Sequence, residues 1–133
     1  MDAQRIRHIY EDFSLNRLER LADIFDEKID FISHAPAGIF PYLGRRLGKA
    51  AVLEAFAEVH KKLEITAFWP ITTVVDGDNA ALTVLIDVRE RASSTGATFL
   101  AAHFLRFRND RMVEYRAIID SLDAVEQLRS GIR

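Results

Sequence analysis

The side chains able to do acid–base chemistry in this sequence are few, and they gather in its second half. His103 stands inside the apolar run Phe99-Leu100-Ala101-Ala102-His103-Phe104-Leu105, and Asp87 interrupts an apolar stretch between Ala80 and Arg91. Histidine titrates near neutrality, so a neighbouring carboxylate is enough to move it across physiological pH. A buried aspartate needs a partner, which Arg89 on its own strand or His103 on the next would supply. If the two runs fold back across Ser93-Ser94-Thr95-Gly96, Asp87 and His103 fall opposite each other, with Cβ atoms ~5 Å apart. The pair would then be a proton-transferring acid/base, with His34 and Tyr115 orienting a substrate or donating to an oxyanion. Trp69 adds an amphipathic wall group. Each residue also has a structural reading: His103 hydrogen-bonded in a core, Asp87 in an ion pair, His34 closing a strand end before Pro36, and Tyr115 and Trp69 as core with a wet tip.

Other chemistries are disfavoured. The 133 residues contain no cysteine, which removes disulfides, thiol nucleophiles and thiolate metal sites together. His34, Asp87 and His103 have the composition of a two-histidine-one-carboxylate site, but no His-x-His or Glu-x-x-His spacing supports a metal. No cofactor is expected. Arg106, Arg108 and Arg116 lack interleaved aromatics, and the net charge is −2, so a nucleic-acid stripe is not expected. Glu114 and Asp120 are partners for those arginines, and a charged rim at a dimer face is the better reading. No apolar run approaches the ~20 residues of a membrane span, and the N-terminus lacks a signal-peptide core. A soluble, cytoplasmic protein is the expectation. With 49% apolar and 29% charged residues the chain has the balance of one globular domain spanning residues 1–133.

Four extended runs must position these groups: Ile65 to Val75, Ala80 to Arg91, Ala97 to Arg108 and Arg111 to Asp120. Short turns at Asp76-Gly77-Asp78-Asn79, Ser93 to Gly96 and Asn109-Asp110 make them an antiparallel meander. Pro70 implies an edge position or a bulge in the first. Upstream, Ile6, Ile9, Tyr10 and Phe13 form one helical stripe. Asn16 and Glu19 have capping-box spacing for a second helix bearing Leu18, Leu21, Ile24 and Phe25. Asp26 to His34 alternates as a strand. Residues 35 to 48 carry Gly or Pro at 36, 38, 41, 44 and 48 and form a loop. Ile39, Phe40, Tyr42 and Leu43 in that loop suit a lid over an apolar opening. A helix follows with Val52, Phe56, Val59 and Leu63 as its stripe, and Ser121 to Arg129 is helical at the end. The order α-α-β-loop-α-β-β-β-β-α is an α+β pattern, a curved, mostly antiparallel sheet wrapped around N-terminal helices.

Two local motifs sharpen this. His34-Ala35-Pro36-Ala37-Gly38, followed by Gly44-Arg45-Arg46-Leu47-Gly48-Lys49-Ala50-Ala51-Val52, resembles a strand end, mobile loop and helix start. Asp110-Arg111-Met112-Val113-Glu114-Tyr115-Arg116-Ala117-Ile118-Ile119-Asp120 resembles a characteristic last strand. Together they resemble the SnoaL-like branch of the nuclear-transport-factor-2-like, ketosteroid-isomerase-like superfamily, over nearly the whole chain. The resemblance implies a cone-shaped fold with an internal pocket between the concave sheet face and the helices, and Ile32 and His34 pointing inward. It also implies that the Arg-x-Asp and second Asp of limonene-epoxide-hydrolase-like members would fall on Leu85, Asp87 and Ala117. Two of the three are absent, so that hydrolysis is not expected. SnoaL-type cyclases have a pocket histidine where His103 stands, and their paired aspartate falls near Ala117. The first strand ends in His34 where ketosteroid isomerase leads one to expect a base carboxylate.

The expected site is therefore His103 and Asp87 as acid/base, with His34, Tyr115, Trp69, Tyr42, Phe40 and Tyr10 contacting a small hydrophobic or cyclic organic molecule. Isomerisation, cyclisation or dehydration by proton transfer is the first reading. A non-catalytic ligand-binding or dimerisation module is the second. A homodimer is expected through Leu82, Val84, Ile86 and Val88, extended by Leu100, Ala102 and Phe104, taken as an exposed apolar sheet face.

Overall fold

Helix formation begins at Asp2, whose carboxylate accepts the Arg5 backbone N–H at 2.8 Å. That N-cap satisfies a donor the first turn would leave unpaired. Helix α1 runs Ala3–Ser14 and α2 Leu18–Ile24. The computed structural model describes residues 1–34, 44–120, 123, 124 and 126–128. Asn16 does not cap α2: it takes a left-handed turn at φ 54°, and Arg17 is the N-cap residue. Reversing the chain between two adjacent helices evidently outweighs the capping box, and asparagine tolerates that conformation well.

Strand β1 (Phe25–His34) leads, beyond residues 35–43, to the short β2 (Arg45–Leu47) and helix α3 (Lys49–Lys62). Gly48 sits before α3 at φ 90° and ψ 152°, a backbone conformation that suits glycine almost alone. Strands β3 (Leu63–Asp76), β4 (Asn79–Glu90), β5 (Gly96–Arg108) and β6 (Arg111–Ile119) complete one six-stranded sheet in the order β2-β1-β6-β5-β4-β3. Every described pairing is antiparallel except β1 with β6, which is parallel. The sheet is curved and open, and the helices lie on its concave side. Pro70 lies on the edge strand β3, beside a register shift between Pro70 and Thr72. At the C-terminus Asp123, Ala124 and residues 126–128 are helical, and Ala124 and Leu128 are in the core.

The core is the α1 stripe Ile6, Ile9, Tyr10 and Phe13 pressed onto the concave sheet face. That face is built from Leu82, Val84, Ile86 and Val88 of β4 with Phe99, Ala101, His103, Leu105 and Phe107 of β5. This overturns one expectation. Leu82, Val84, Ile86 and Val88 are all buried and form the core, so they are no exposed dimer surface. The wholly apolar face of an alternating strand belongs under the helices, where burial is favourable by about 25 cal/mol per Å². Its mixed face goes to solvent. Leu100 and Phe104, expected to extend that surface, do lie on the outer face, exposed with Ile118.

The register explains the inversion. Asp87 pairs with Thr98, five residues short of His103, and His103 pairs with Leu82. An odd offset moves a side chain to the opposite face of a sheet.

Candidate functional site

Between the helices and the concave face lies a cavity of about 90 Å³. Its walls are mostly aromatic and branched aliphatic: Phe13, Phe31, Phe56, Phe68, Ile86 and Phe99 are among them, and Ser33, His60, His103 and Tyr115 are its polar members. Period-two alternation puts Phe31 and Ser33 of β1 inward, Phe99 and His103 of β5 inward, and Tyr115 and Ala117 of β6 inward.

His103 is 1% exposed, and Tyr10 and Tyr115 are as deeply buried. The Tyr10 hydroxyl is 2.6 Å from His103 Nδ1. No other polar contact of the Tyr10 hydroxyl competes for its hydrogen among the described residues. The assignment that satisfies both groups has Tyr10 O–H donating to Nδ1, which leaves the hydrogen of the neutral ring on Nε2. The Tyr115 hydroxyl lies 3.4 Å from Nδ1 and 3.5 Å from Nε2, long contacts along the ring edge. With Nδ1 already occupied and the Tyr115 oxygen almost equidistant from the two ring nitrogens, off the Nε2–H direction, the Tyr115 O–H is left to donate into the cavity.

Electrostatics hold this unit neutral. Burial pushes the His103 pKa down to about 3, because an imidazolium there would be desolvated with no compensating carboxylate among the described residues. Burial raises both phenols well above their ordinary range, and for Tyr10 the neighbouring Tyr115 adds to the effect. The arrangement can present a polarised O–H donor to a ligand oxygen. His103 itself is a poor proton acceptor at neutral pH.

The placement of the expected site residues is mixed. His103 and Tyr115 line the cavity, and Tyr10 reaches it through His103 rather than by standing on its wall. Asp87 does not: it is on the outer face, accepting from the Thr66 hydroxyl and from the Thr98 hydroxyl at 2.6 Å. Those two bonds hold its carboxyl below the usual carboxylate range. The Asp87–His103 dyad is thereby removed, by the register described above. His34 is exposed, paired with Ile118 on the outer face, and Ile32 shares its parity; their inward neighbours are Phe31 and Ser33. Trp69 stands opposite Leu85 and is 50% exposed, while Phe68 takes the cavity position. Phe40 and Tyr42, with the proposed lid around them, lie outside the described residues. Arg106 pairs with Glu114 at 3.4 Å and Arg116 with Asp30 at 3.1 Å, so Asp30 takes the place expected for Asp120. Among the described residues no cluster of three His, Asp or Glu side chains is placed to hold a metal ion. Nor is any helix long and apolar enough to cross a membrane.

Two polar wall residues, Ser33 and His60, were not among the expected site residues. His60 had a usable signal, since it follows Phe56 by four residues and so shares its face of α3.

An open, curved sheet folded over N-terminal helices around a mostly apolar cavity defines the class of cone-shaped α+β proteins. Residues 6–115 match the SnoaL-like domain family, and the chain belongs to it. A proposed isomerase from Rhodopseudomonas palustris is 27% identical, with 98% of each chain covered and a TM-score of 0.86. A Catenulispora acidiphila protein of ketosteroid-isomerase-like fold, in complex with trimethylamine, is 11% identical over 97% of this chain and 95% of its own, with a TM-score of 0.82. TerC co-crystallised with polyporic acid is 19% identical over 90% and 92%, with a TM-score of 0.75. The last two, at their low identity, establish shared fold alone. No curated protein matches the chain in sequence.

Proposed function

We propose that this protein binds a small, largely apolar, ring-bearing molecule through one carbonyl-type oxygen and carries out isomerase-type proton transfer on it. One observation carries the reading: a buried, neutral cluster of Tyr10, His103 and Tyr115 stands at the wall of a mostly apolar cavity. A mostly apolar pocket with a few convergent polar groups is the usual form of a small-molecule site. The Tyr115 O–H, beside the His103 ring, would stabilise the negative charge that grows on a carbonyl oxygen as the neighbouring carbon loses a proton. The likeness to the Rhodopseudomonas palustris protein supports the isomerase class. The TerC–polyporic acid complex supports an organic ligand for a fold of this kind. Cyclisation and dehydration draw on the same groups.

Size narrows the ligand. A cavity of about 90 Å³, against the ~150 Å³ that accommodates benzene in an engineered core, limits the ligand to a single small ring, and cyclopentanone is a compact carbonyl probe of that kind. Titration with cyclopentanone, followed by NMR of the Tyr115 and His103 signals, is expected to show saturable binding. Tyr115→Phe should weaken it about tenfold, the upper range for one net hydrogen bond. Equal affinity in the two proteins would contradict the reading.

A second reading has its own support. No carboxylate is among the described lining residues and His103 is held neutral, features that suit a non-catalytic binding module. Turnover of a ketone probe separates the two readings.

We further infer a homodimer through the outer sheet face. Leu100, Phe104 and Ile118 are each about half exposed there, and contiguous apolar surface on a sheet favours a second copy over solvent. Sedimentation at micromolar concentration should give a dimer, shifted toward monomer by Phe104→Glu. A monomeric wild type would defeat this assignment.

A further inference from the structure

One hydroxyl of the cavity wall has no partner among the described residues. Ser33 is 7% exposed, and its backbone N–H donates to the Gly44 carbonyl at 2.9 Å, but no described group bonds its side chain. Ile29 and Phe31, which precede it on the same inward face of β1, are apolar. A hydroxyl taken out of water without a replacement bond is unfavourable, whereas a hydrocarbon side chain would gain by the same burial. No described side-chain nitrogen or oxygen is both fully enclosed and unpartnered, so the Ser33 hydroxyl keeps an open side. On the inward face of β1 that side is the cavity, whose wall Ser33 helps to form.

Register places this hydroxyl relative to the other polar groups. Ser33 pairs with Ala117 on β6, and Ala117 pairs with His103 on β5. The three residues make one inward row across adjacent strands, its ends about 10 Å apart between backbones, or two inter-strand spacings. Ala117 contributes only a methyl group between them, which leaves a recess in the row. Tyr115 stands on the same face two residues before Ala117, with its hydroxyl 3.4 and 3.5 Å from the two ring nitrogens of His103. One end of the recess therefore carries the Tyr115 hydroxyl beside the His103 ring, and the other carries Ser33. The wall around them, with Phe31, Phe56 and Ile119, is apolar.

We propose that Ser33 determines ligand specificity: its hydroxyl binds a second oxygen of the ligand, so the cavity selects a small ring bearing oxygens on two non-adjacent carbons. This rests on the ligand reading above, in which Tyr115 holds the first oxygen, and it is independent of any reaction. The separation of the two poles across Ala117 is what favours non-adjacent carbons. A serine hydroxyl both donates and accepts, so it pairs with a ligand hydroxyl as readily as with a carbonyl. A ring with one oxygen leaves Ser33 unpaired beneath it, and a site built to hydrogen-bond a ligand group discriminates against the analogue that lacks it.

The test compares cyclopentanol with cis- and trans-cyclopentane-1,3-diol, each titrated into the protein and followed by NMR of the Tyr115 and His103 signals. At least one diol should bind the wild type about three- to tenfold more tightly than cyclopentanol, the worth of one net hydrogen bond. Ser33→Ala should abolish that preference and leave cyclopentanol affinity within about twofold of wild type. Its Tm should not fall, because the substitution removes an unpartnered hydroxyl. Equal wild-type affinities for cyclopentanol and both diols would leave the hydroxyl to water and overturn the assignment, and this comparison needs no variant. A diol preference that survives in Ser33→Ala, or a loss of Tm showing that the hydroxyl is bonded within the protein, would overturn it as well. In each of these cases saturable cyclopentanone binding would leave the ligand reading standing. Failure of cyclopentanone, cyclopentanol and both diols to enter the cavity would overturn both.

Discussion

Acidification from pH 7 to pH 3 is expected to cost the folded state roughly 4 kcal/mol through His103 alone. The group titrates near 6.5 when exposed and at about 3 when folded, and each unit of difference is worth about 1.36 kcal/mol. Its folded pKa is depressed, so the unfolded chain binds the proton more readily throughout the interval between the two values. The favourable contribution of the neutral ring is complete above the unfolded value, shrinks as pH falls below it, and is exhausted near the folded value. Other groups titrate over the same range, so the informative quantity is the difference between wild type and His103→Gln in urea unfolding at successive pH values. The wild type should lose its advantage over the variant steadily between pH 6.5 and 3. A difference that does not vary with pH would mean that the ring is solvated, and one that grows as pH falls would mean that it is paired with an acid.

The largest effect away from titratable groups is expected at Phe13. Its ring lies 5.0 Å from that of Phe56 in a stacked arrangement, and the rings of Tyr10, Phe25, Phe68 and Tyr115 are all within 6.2 Å of it. It is 2% exposed and joins α1 both to α3 and to the sheet. Phe13→Ala removes the ring from a site bounded by other rigid rings, which cannot collapse far into the space. The expected cost is about 3–5 kcal/mol, a fall in Tm on the order of 10 °C or more. Because Phe13 also lines the cavity, the variant should accept cyclohexanone better than the wild type does, if the protein is held below its lowered Tm. A cost below about 1 kcal/mol would show that the aromatic cluster is not the anchor of α1.

Much of the architecture was legible in the sequence because hydrophobic periodicity is a local property. The α1 stripe Ile6, Ile9, Tyr10 and Phe13, the four-strand meander and the edge position of Pro70 all follow from spacing and turn residues. The site was less legible because it depends on register. Asp87 and His103 looked paired on the assumption that the β4–β5 turn was centred near Thr95, whereas Arg89 pairs with Gly96 and the hairpin closes earlier. That shift puts Asp87 opposite Thr98 and not beside His103. With His103 inward, the apolar face of Leu82, Val84, Ile86 and Val88 shares its side under the helices. The same sensitivity to parity moved His34 outward and Ser33 inward on β1. Tyr10 was legible as a core residue, but its hydrogen bond to a side chain 93 positions away is a tertiary event that no local pattern encodes. His60 was readable in principle from its spacing to Phe56, although its place on the helix reads as exposed.

The most direct test of a neutral His103 at the end of an apolar cavity, separated from Asp87 by the sheet, is a nitrogen-15 NMR titration of His103 in the wild type and in Asp87→Asn. The structure predicts an unprotonated Nδ1 and a protonated Nε2 from pH 8 down to about pH 4, with the same signals in both proteins. A ring that becomes cationic at or above pH 6.5, or a His103 pKa that moves when Asp87 loses its charge, would contradict it.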